Sequence, residues 1–133
     1  MGSRDRRGRG LRAPLLASTL PAHRTRAAAF DDLVVAAAER LEPRWSGQWG
    51  KLEFAVEEVP PSAPAAWEGG VPLGRLFPAD AGQPARLVLY RRPIEDRAAD
   101  AAELTALVRD IVAEQVAHII TRPPHEVDPD YGS

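Results

Sequence analysis

The longest helical pattern of the chain, Asp100–Ile120, limits its possible folds more than any other segment. With an advance of about 100° per residue, its apolar side chains fall on one broad arc: Leu104, Leu107, Val108, Ile111, Val112, Val116 and Ile119. A helix with such a wide apolar face has to pack against other secondary structure. We therefore predict a core helix, with Gln115 and His118 inside the apolar arc and Glu114 at its edge.

Two earlier segments carry the periodicity of a helix and of a strand. Apolar residues recur at helical spacing over Ala27–Leu41, with Thr25 as a suitable N-cap. We expect this helix to end before Pro43, because proline disfavours helical backbone in the residue that precedes it. Over Lys51–Val59, apolar and charged residues alternate, which predicts a strand with one buried face.

The rest of the predicted sheet lies around a segment rich in proline and glycine. Pro60–Pro84 is interpreted as a long surface excursion, in which Val71–Phe77 could form a short strand. Pro72 and Gly74 would confine that strand to the edge of the sheet. Arg86–Arg91 has the strongest strand character in the chain and is predicted to be the central strand.

Two polar segments flank the long helix. Glu95–Arg97, after Pro93, is predicted to form a turn that leads into it. Thr121–Ser133 contains three prolines and is predicted to be a loop. This last segment could fold back over the end of the helix.

Charge is divided unevenly along the 133 residues. The net charge is −2, but residues 1–26 carry seven arginines against Asp5, a charge of +6, which leaves −8 for residues 27–133. The first segment has too little apolar surface to offset the entropy of ordering. We therefore predict a disordered basic arm over residues 1–26 and one domain over residues 27–133. Because the arm has no aromatic residue to stack on bases, we do not expect it to bind nucleic acid.

Composition excludes several kinds of chemistry. The chain has no cysteine, so disulfides, thiolate metal sites and cysteine nucleophiles are excluded, and a metal would need His and carboxylate ligands. Of the three histidines, His23 falls in the predicted arm, which leaves His118 and His125. No apolar run approaches the roughly 18 residues of a membrane span, and Arg6-Arg7 is not followed by the apolar stretch of a leader peptide. We expect a cytoplasmic monomer that does not bind membranes.

The sequence Glu114-Gln115-Val116-Ala117-His118 has the outline of a zinc-protease helix. In the motif HExxH, two histidines four residues apart bind Zn²⁺, and the glutamate is the general base for a metal-bound water. Glu114 replaces the first histidine, Gln115 replaces the base, and only His118 matches. A carboxylate can bind zinc, but an amide cannot supply the about 10²- to 10⁴-fold rate gain of general base catalysis.

Together with the order of the elements, this motif resembles the minimal zincin-like metallopeptidase family of bacteria. The resemblance covers roughly Phe30–Tyr131, and its other specific points are Phe30–Val34, Val71–Leu73 and Leu89–Glu95. It implies a compact α+β domain in which a small mixed sheet packs against two main helices. In its Ala- and Arg-rich composition, the chain resembles the actinobacterial branch of the family, in which Glu-Gln-x-x replaces the active motif.

The chain also departs from the family after the motif. Thr121 stands where the resemblance leads us to expect a glycine. The acidic residue expected shortly after that glycine, a third zinc ligand, has no clear counterpart, because Arg122–Pro124 intervenes. His125, Glu126 and Asp128 are nearby substitutes that would require the tail to double back.

Two functions are open on these grounds. The resemblance implies metal positions at Glu114 and His118 and the base position at Gln115. We expect a domain without efficient peptidase activity and without a cofactor, which binds a peptide or protein segment in the old substrate cleft along Val71–Phe77. The alternative is an active zinc-dependent peptidase, in which Glu114, His118 and a tail residue bind zinc and a carboxylate such as Glu95 is the base.

Overall fold

The structure is a computed structural model, which describes residues 25–61 and 72–133. The predicted arm, apart from its last two residues, lies outside these ranges, as do Val71 and the middle of the excursion, so the predicted arm stays a prediction. Within these ranges, seven elements follow in order: α1 (Arg26–Trp49), β1 (Leu52–Glu57), β2 (Gly74–Phe77), β3 (Ala85–Tyr90), α2 (Arg91–Arg97), α3 (Ala101–Ile120) and α4 (Pro124–Val127).

The three strands form one mixed sheet in the order β1-β3-β2. β1 runs parallel to β3, and β2 runs antiparallel to it. The predicted central strand is therefore central, and the predicted edge strand lies at an edge. With α1 and α3 as the two long helices, the fold is the small α+β architecture that the resemblance implied.

The core lies between β3 and the two long helices. Leu87 and Leu89 of β3 pack into one cluster with residues of α1 and α3, among them Phe30, Val34 and Val112. Successive side chains of a strand point to opposite faces, and Val88 and Tyr90 form a second buried cluster with Ala55. Both faces of β3 are therefore buried, which explains its nearly continuous apolar sequence.

Helix α1 begins as predicted but ends later than predicted. Thr25 is its N-cap, and its hydroxyl oxygen accepts a hydrogen bond of 3.0 Å from the Ala28 amide. The expected end before Pro43 was wrong, because α1 continues through Pro43 to Trp49. A proline inside a helix costs about 3 kcal/mol. The buried Trp45, whose Nε1 donates a 2.9 Å hydrogen bond to the Val127 carbonyl, supplies the tertiary contact that offsets this cost.

Helix α3 is the predicted long helix, with a reciprocal cap at its start. The Asp100 carboxylate accepts a 2.8 Å hydrogen bond from the Glu103 amide, and the Glu103 carboxylate accepts one of 2.8 Å from the Ala99 amide. This arrangement satisfies two backbone donors that a helix start would otherwise leave unpaired. In the described part of the chain, no helix is long and apolar enough to cross a membrane.

The segment between β3 and α3 is helical, which corrects the turn predicted at Glu95–Arg97. Helix α2 starts directly after Tyr90 and includes Pro93 in its first turn. Proline is tolerated there, because the first amides of a helix have no partner within the helix. The fully buried Ile94 anchors α2 to the core.

The hydrogen bond from Trp45 to the tail can be tested with a matched pair of tryptophans. Trp45→Phe leaves the buried Val127 carbonyl without its donor, so we expect a loss of about 1–3 kcal/mol in the free energy of unfolding. Trp49 is half-buried, and its ring meets Phe54 edge-on at 5.9 Å. Trp49→Phe should cost less than about 1.5 kcal/mol. Urea unfolding would measure both values, and equal losses would contradict the role given to Trp45.

Candidate functional site

The five residues of the motif lie on the last turns of α3. Glu114 and His118 are exposed, and Gln115 is half-buried. The expectation that His118 lies inside the apolar arc was therefore wrong. Ala113 and Ala117 are buried, and at about 100° per residue they extend the buried face around the helix, past Val116 and away from His118. These small apolar residues thus determine which side of α3 faces the core.

Gln115 lies on the same face of α3 as Ile111, one turn earlier. Ile111 contacts β2, where a Cβ atom added to Gly74 would lie 3.2 Å from Ile111 Cγ2 and 3.1 Å from the Val88 carbonyl oxygen. Glycine therefore allows the edge strand to approach the helix closely. The face of α3 that carries the motif thus borders β2. This is the strand along which we expected the ancestral substrate cleft to lie.

The tail after α3 folds back along the helix, as the sequence allowed. The short helix α4 packs against α3. Beyond it, the Tyr131 hydroxyl donates a hydrogen bond to the Glu114 carboxylate, and the Gly132 amide donates one of 3.2 Å to Asp110. The position that the resemblance assigns to the first zinc histidine therefore carries a carboxylate in contact with the tail.

Two further contacts attach the tail to α1. Arg40 forms ion pairs with Asp128 and Asp130, and Asp128 is only 2% exposed. The second is the hydrogen bond from Trp45 to the Val127 carbonyl. Sequence reasoning missed Arg40 and Tyr131, because their partners are 88 and 17 residues away and no local pattern connects them.

Thr121 ends α3 in the left-handed conformation, with φ 58° and ψ 54°. Its amide bonds to the Ala117 carbonyl. Glycine adopts this conformation without steric cost, whereas a residue with a Cβ atom pays about 1–2 kcal/mol. The resemblance led us to expect glycine at position 121. The left-handed backbone at this position is the conformation that glycine adopts most easily.

The candidate third ligands are engaged elsewhere or face solvent. Glu126 forms an ion pair of 3.3 Å with Arg122, Asp128 pairs with Arg40, and His125 is exposed. Across residues 25–61 and 72–133, no three His, Asp or Glu side chains are arranged to bind a metal ion. The donor set described here therefore does not fit the zinc ion that the motif would imply.

Glu95, the candidate base, belongs to a separate cluster on α2. Its carboxylate accepts a 3.0 Å hydrogen bond from Arg91 Nη1. Arg91 also donates two hydrogen bonds to Glu58, of 3.0 and 2.5 Å. These bonds hold the pKa of Glu58 below its usual value and raise the pKa of Arg91. Glu95 thus neutralises an arginine and lines a cleft to which α3 contributes no residue.

Comparison with known protein families matches residues 50–131 to zincin-like metallopeptidases. The match begins two residues before β1 and ends at Tyr131, so it includes the sheet, α2, α3 and the tail. It covers more than half of the chain. The chain therefore belongs to the zincin-like metallopeptidase family, as its resemblance predicted. No curated protein matches it.

The strain at Thr121 predicts that the same substitution, threonine to glycine, changes stability in opposite directions at two positions of the chain. Thr121→Gly should raise the free energy of unfolding by about 0.5–1 kcal/mol, because it removes a left-handed threonine. Thr105 lies within α3, so Thr105→Gly should lower it by about 0.5–1 kcal/mol. Chemical denaturation of both variants would check this, and destabilisation by Thr121→Gly would contradict the strain.

The hydrogen bond between Tyr131 and Glu114 should be visible in the pH dependence of stability. It raises the pKa of Tyr131 to about 12 from an ordinary value of 10.0. Since the folded pKa is the higher one, the contribution is fully present below pH 10 and is lost between pH 10 and 12. Near neutral pH, Tyr131→Phe should cost about 0.5–1.5 kcal/mol.

Glu114→Gln provides the control, because it keeps an acceptor for the Tyr131 hydroxyl but removes the charge. We expect its loss of stability to be smaller than that of Tyr131→Phe. Ultraviolet titration would follow the phenol directly, since the chain contains only one other tyrosine, Tyr90. A Tyr131 phenol that titrates at its ordinary pKa would contradict the bond.

Proposed function

We propose that this chain is a member of the zincin-like metallopeptidase family that lacks efficient peptidase activity and acts as a binding or scaffold module. The contact between Tyr131 and Glu114 carries this proposal. A zinc ligand has to direct a lone pair at the metal, and the hydrogen bond from the Tyr131 hydroxyl competes for one of the two Glu114 carboxylate oxygens. The tail residues that could complete a ligand set are paired with arginines or exposed.

The residue at the base position supports the same proposal. Gln115 has an amide side chain, which has no protonation equilibrium near neutral pH. The carboxylate proposed to substitute for it, Glu95, is bonded to Arg91 on α2. Of the three working positions of the motif, only His118 keeps the residue that the active motif requires. Gln115 cannot act as a base, and the Glu114 carboxylate is hydrogen-bonded to the tail. We regard the Ala- and Arg-rich chain as part of the actinobacterial branch on the composition alone.

The proposed binding surface is the edge of the sheet beside the motif. β2 hydrogen-bonds to β3, and no strand of the described chain covers its other edge. Phe77, at the end of β2, is one of the exposed large apolar residues, with 43% of its surface accessible. An extended peptide can add to such an edge through main-chain hydrogen bonds. We propose a peptide or protein segment as the partner of a cytoplasmic monomer.

Zinc binding is the experiment that tests the proposal. The purified protein should hold well under one equivalent of zinc, and added zinc should not raise its melting temperature. A tight site would add about 2.7 kcal/mol of stability at a zinc concentration of 100 times Kd. One bound equivalent that Glu114→Ala abolishes would contradict the proposal, as would zinc-dependent peptide hydrolysis.

Restoring the motif provides the positive control. Glu114→His/Gln115→Glu places two histidines one turn apart on one face of α3, so it should bind zinc more tightly than the parent. Ala102→His/Ala106→His creates the same spacing near the start of α3, away from the motif. If the two double variants bind zinc equally, the motif face contributes no further donor.

A further inference from the structure

A cleft of about 1280 Å³ lies at the carboxyl ends of the parallel strands β1 and β3. Its walls are the start of α1, residues 59–61 after β1, Leu73 before β2, and α2. None of its lining residues comes from α3. The cleft is therefore separate from the degenerate motif and from the activity that the motif concerns.

Three exposed arginines line the cleft: Arg26, Arg92 and Arg97. Arg26 and Arg97 form no ion pair with any residue in the described ranges, and Arg92 lies 3.8 Å from a Glu58 oxygen that Arg91 already holds more closely. Their guanidinium donors are thus available to a ligand. The other basic residue among the described lining residues, Arg91, is fully engaged with two carboxylates.

These cations stand out against the charge of the domain. Residues 27–133 carry a net charge of −8, so a concentration of guanidinium groups in one cleft is a local reversal of sign. Among the described lining residues, four arginines stand against Glu95 and Asp96, so the lining carries a net charge of +2. A cleft with a net charge of one sign concentrates ligands of the opposite sign. The ligand of this cleft should therefore be acidic.

The cleft is also lined by apolar residues. Val59 is 52% exposed, more than any other large hydrophobic side chain in the described residues. Pro60, Pro61 and Leu73 adjoin it, and Pro93 lies on the α2 side. Exposed apolar surface next to cations that are unpaired or only loosely paired indicates a ligand that presents both carboxylates and an apolar side chain.

We propose that this cleft binds an acidic peptide segment, whose carboxylates contact Arg92 and Arg97 and whose apolar side chain packs on Val59. Glu95 and Asp96 also line the cleft. Their carboxylates would repel the closely spaced phosphates of a nucleic acid, whereas a peptide can space its charges around them. Among the described lining residues there is no aromatic side chain to stack on a base.

Fluorescence anisotropy of the full chain with a labelled peptide of alternating glutamate and leucine tests this proposal. Arg92→Glu/Arg97→Glu should weaken binding about tenfold or more, and salt should weaken binding to the parent, because the contacts are charged and exposed. Val59→Ser should weaken binding severalfold through the apolar wall. All three positions are exposed, so circular dichroism should show folded variants.

Matched controls separate the cleft from other surfaces. Arg109 of α3 and Lys51 are exposed basic residues outside the cleft, so Arg109→Glu and Lys51→Glu should leave affinity unchanged. Binding that persists in Arg92→Glu/Arg97→Glu would assign the peptide to the basic arm and overturn the proposal. Loss of binding in Phe77→Ser alone would assign it to the β2 edge. A single-stranded oligonucleotide that competes for the cleft with higher affinity would also overturn it.

Discussion

The burial of β3 on both faces and both edges is the constraint on which the rest of the structure depends. Its residues Leu87–Tyr90 are at most 1% exposed. Every backbone amide and carbonyl in such a strand needs a partner, and β1 and β2 supply partners on the two sides. Apolar side chains on one face then need helices as a cover, which α1 and α3 provide. The chain leaves Tyr90 directly into α2, so the cleft beside α2 is fixed by the end of the same strand.

The packing of α3 on this core decides which side chains of the motif can do chemistry. Ala113 and Ala117 face inward with Val112 and Val116. The helix is thereby rotated so that Glu114 and His118 face outward. Their chemistry depends on what the rest of the chain brings to them, and the described chain brings the Tyr131 hydroxyl to Glu114.

Local periodicity predicted the fold well, because most elements bury the residues that define their pattern. The central position of β3, the edge position of β2 and the extent of α3 follow from apolar runs, prolines and caps that act within a few residues. The same reasoning failed at Pro43, where a distant contact of Trp45 keeps α1 helical. It also failed at His118, since the small alanines that set the rotation of α3 carry little weight in a pattern of large apolar residues.

The candidate site was less predictable than the fold, because its contacts span the chain. The motif position of Glu114, Gln115 and His118, together with the order of the elements and stretches such as Leu89–Glu95, pointed to the family. It gave no information on Arg40, whose partners Asp128 and Asp130 lie 88 and 90 residues later. The cleft beside α2 was equally hidden, since its walls come from four segments that only the sheet brings together.

The tail contacts also bear on how this chain holds the segment after α3 in place. A zinc ion held by α3 and by a residue after it would cross-link the helix to the following segment, and metal binding of that kind contributes to folding. In this chain, Arg40 and Trp45 hold the tail to α1, and Glu114 holds Tyr131 to α3. The ion pair between Arg40 and the buried Asp128 is the costliest of these contacts to break. Removal of Arg40 would leave the Asp128 carboxylate as an uncompensated buried charge. Protein contacts thus provide a cross-link between α3 and the tail.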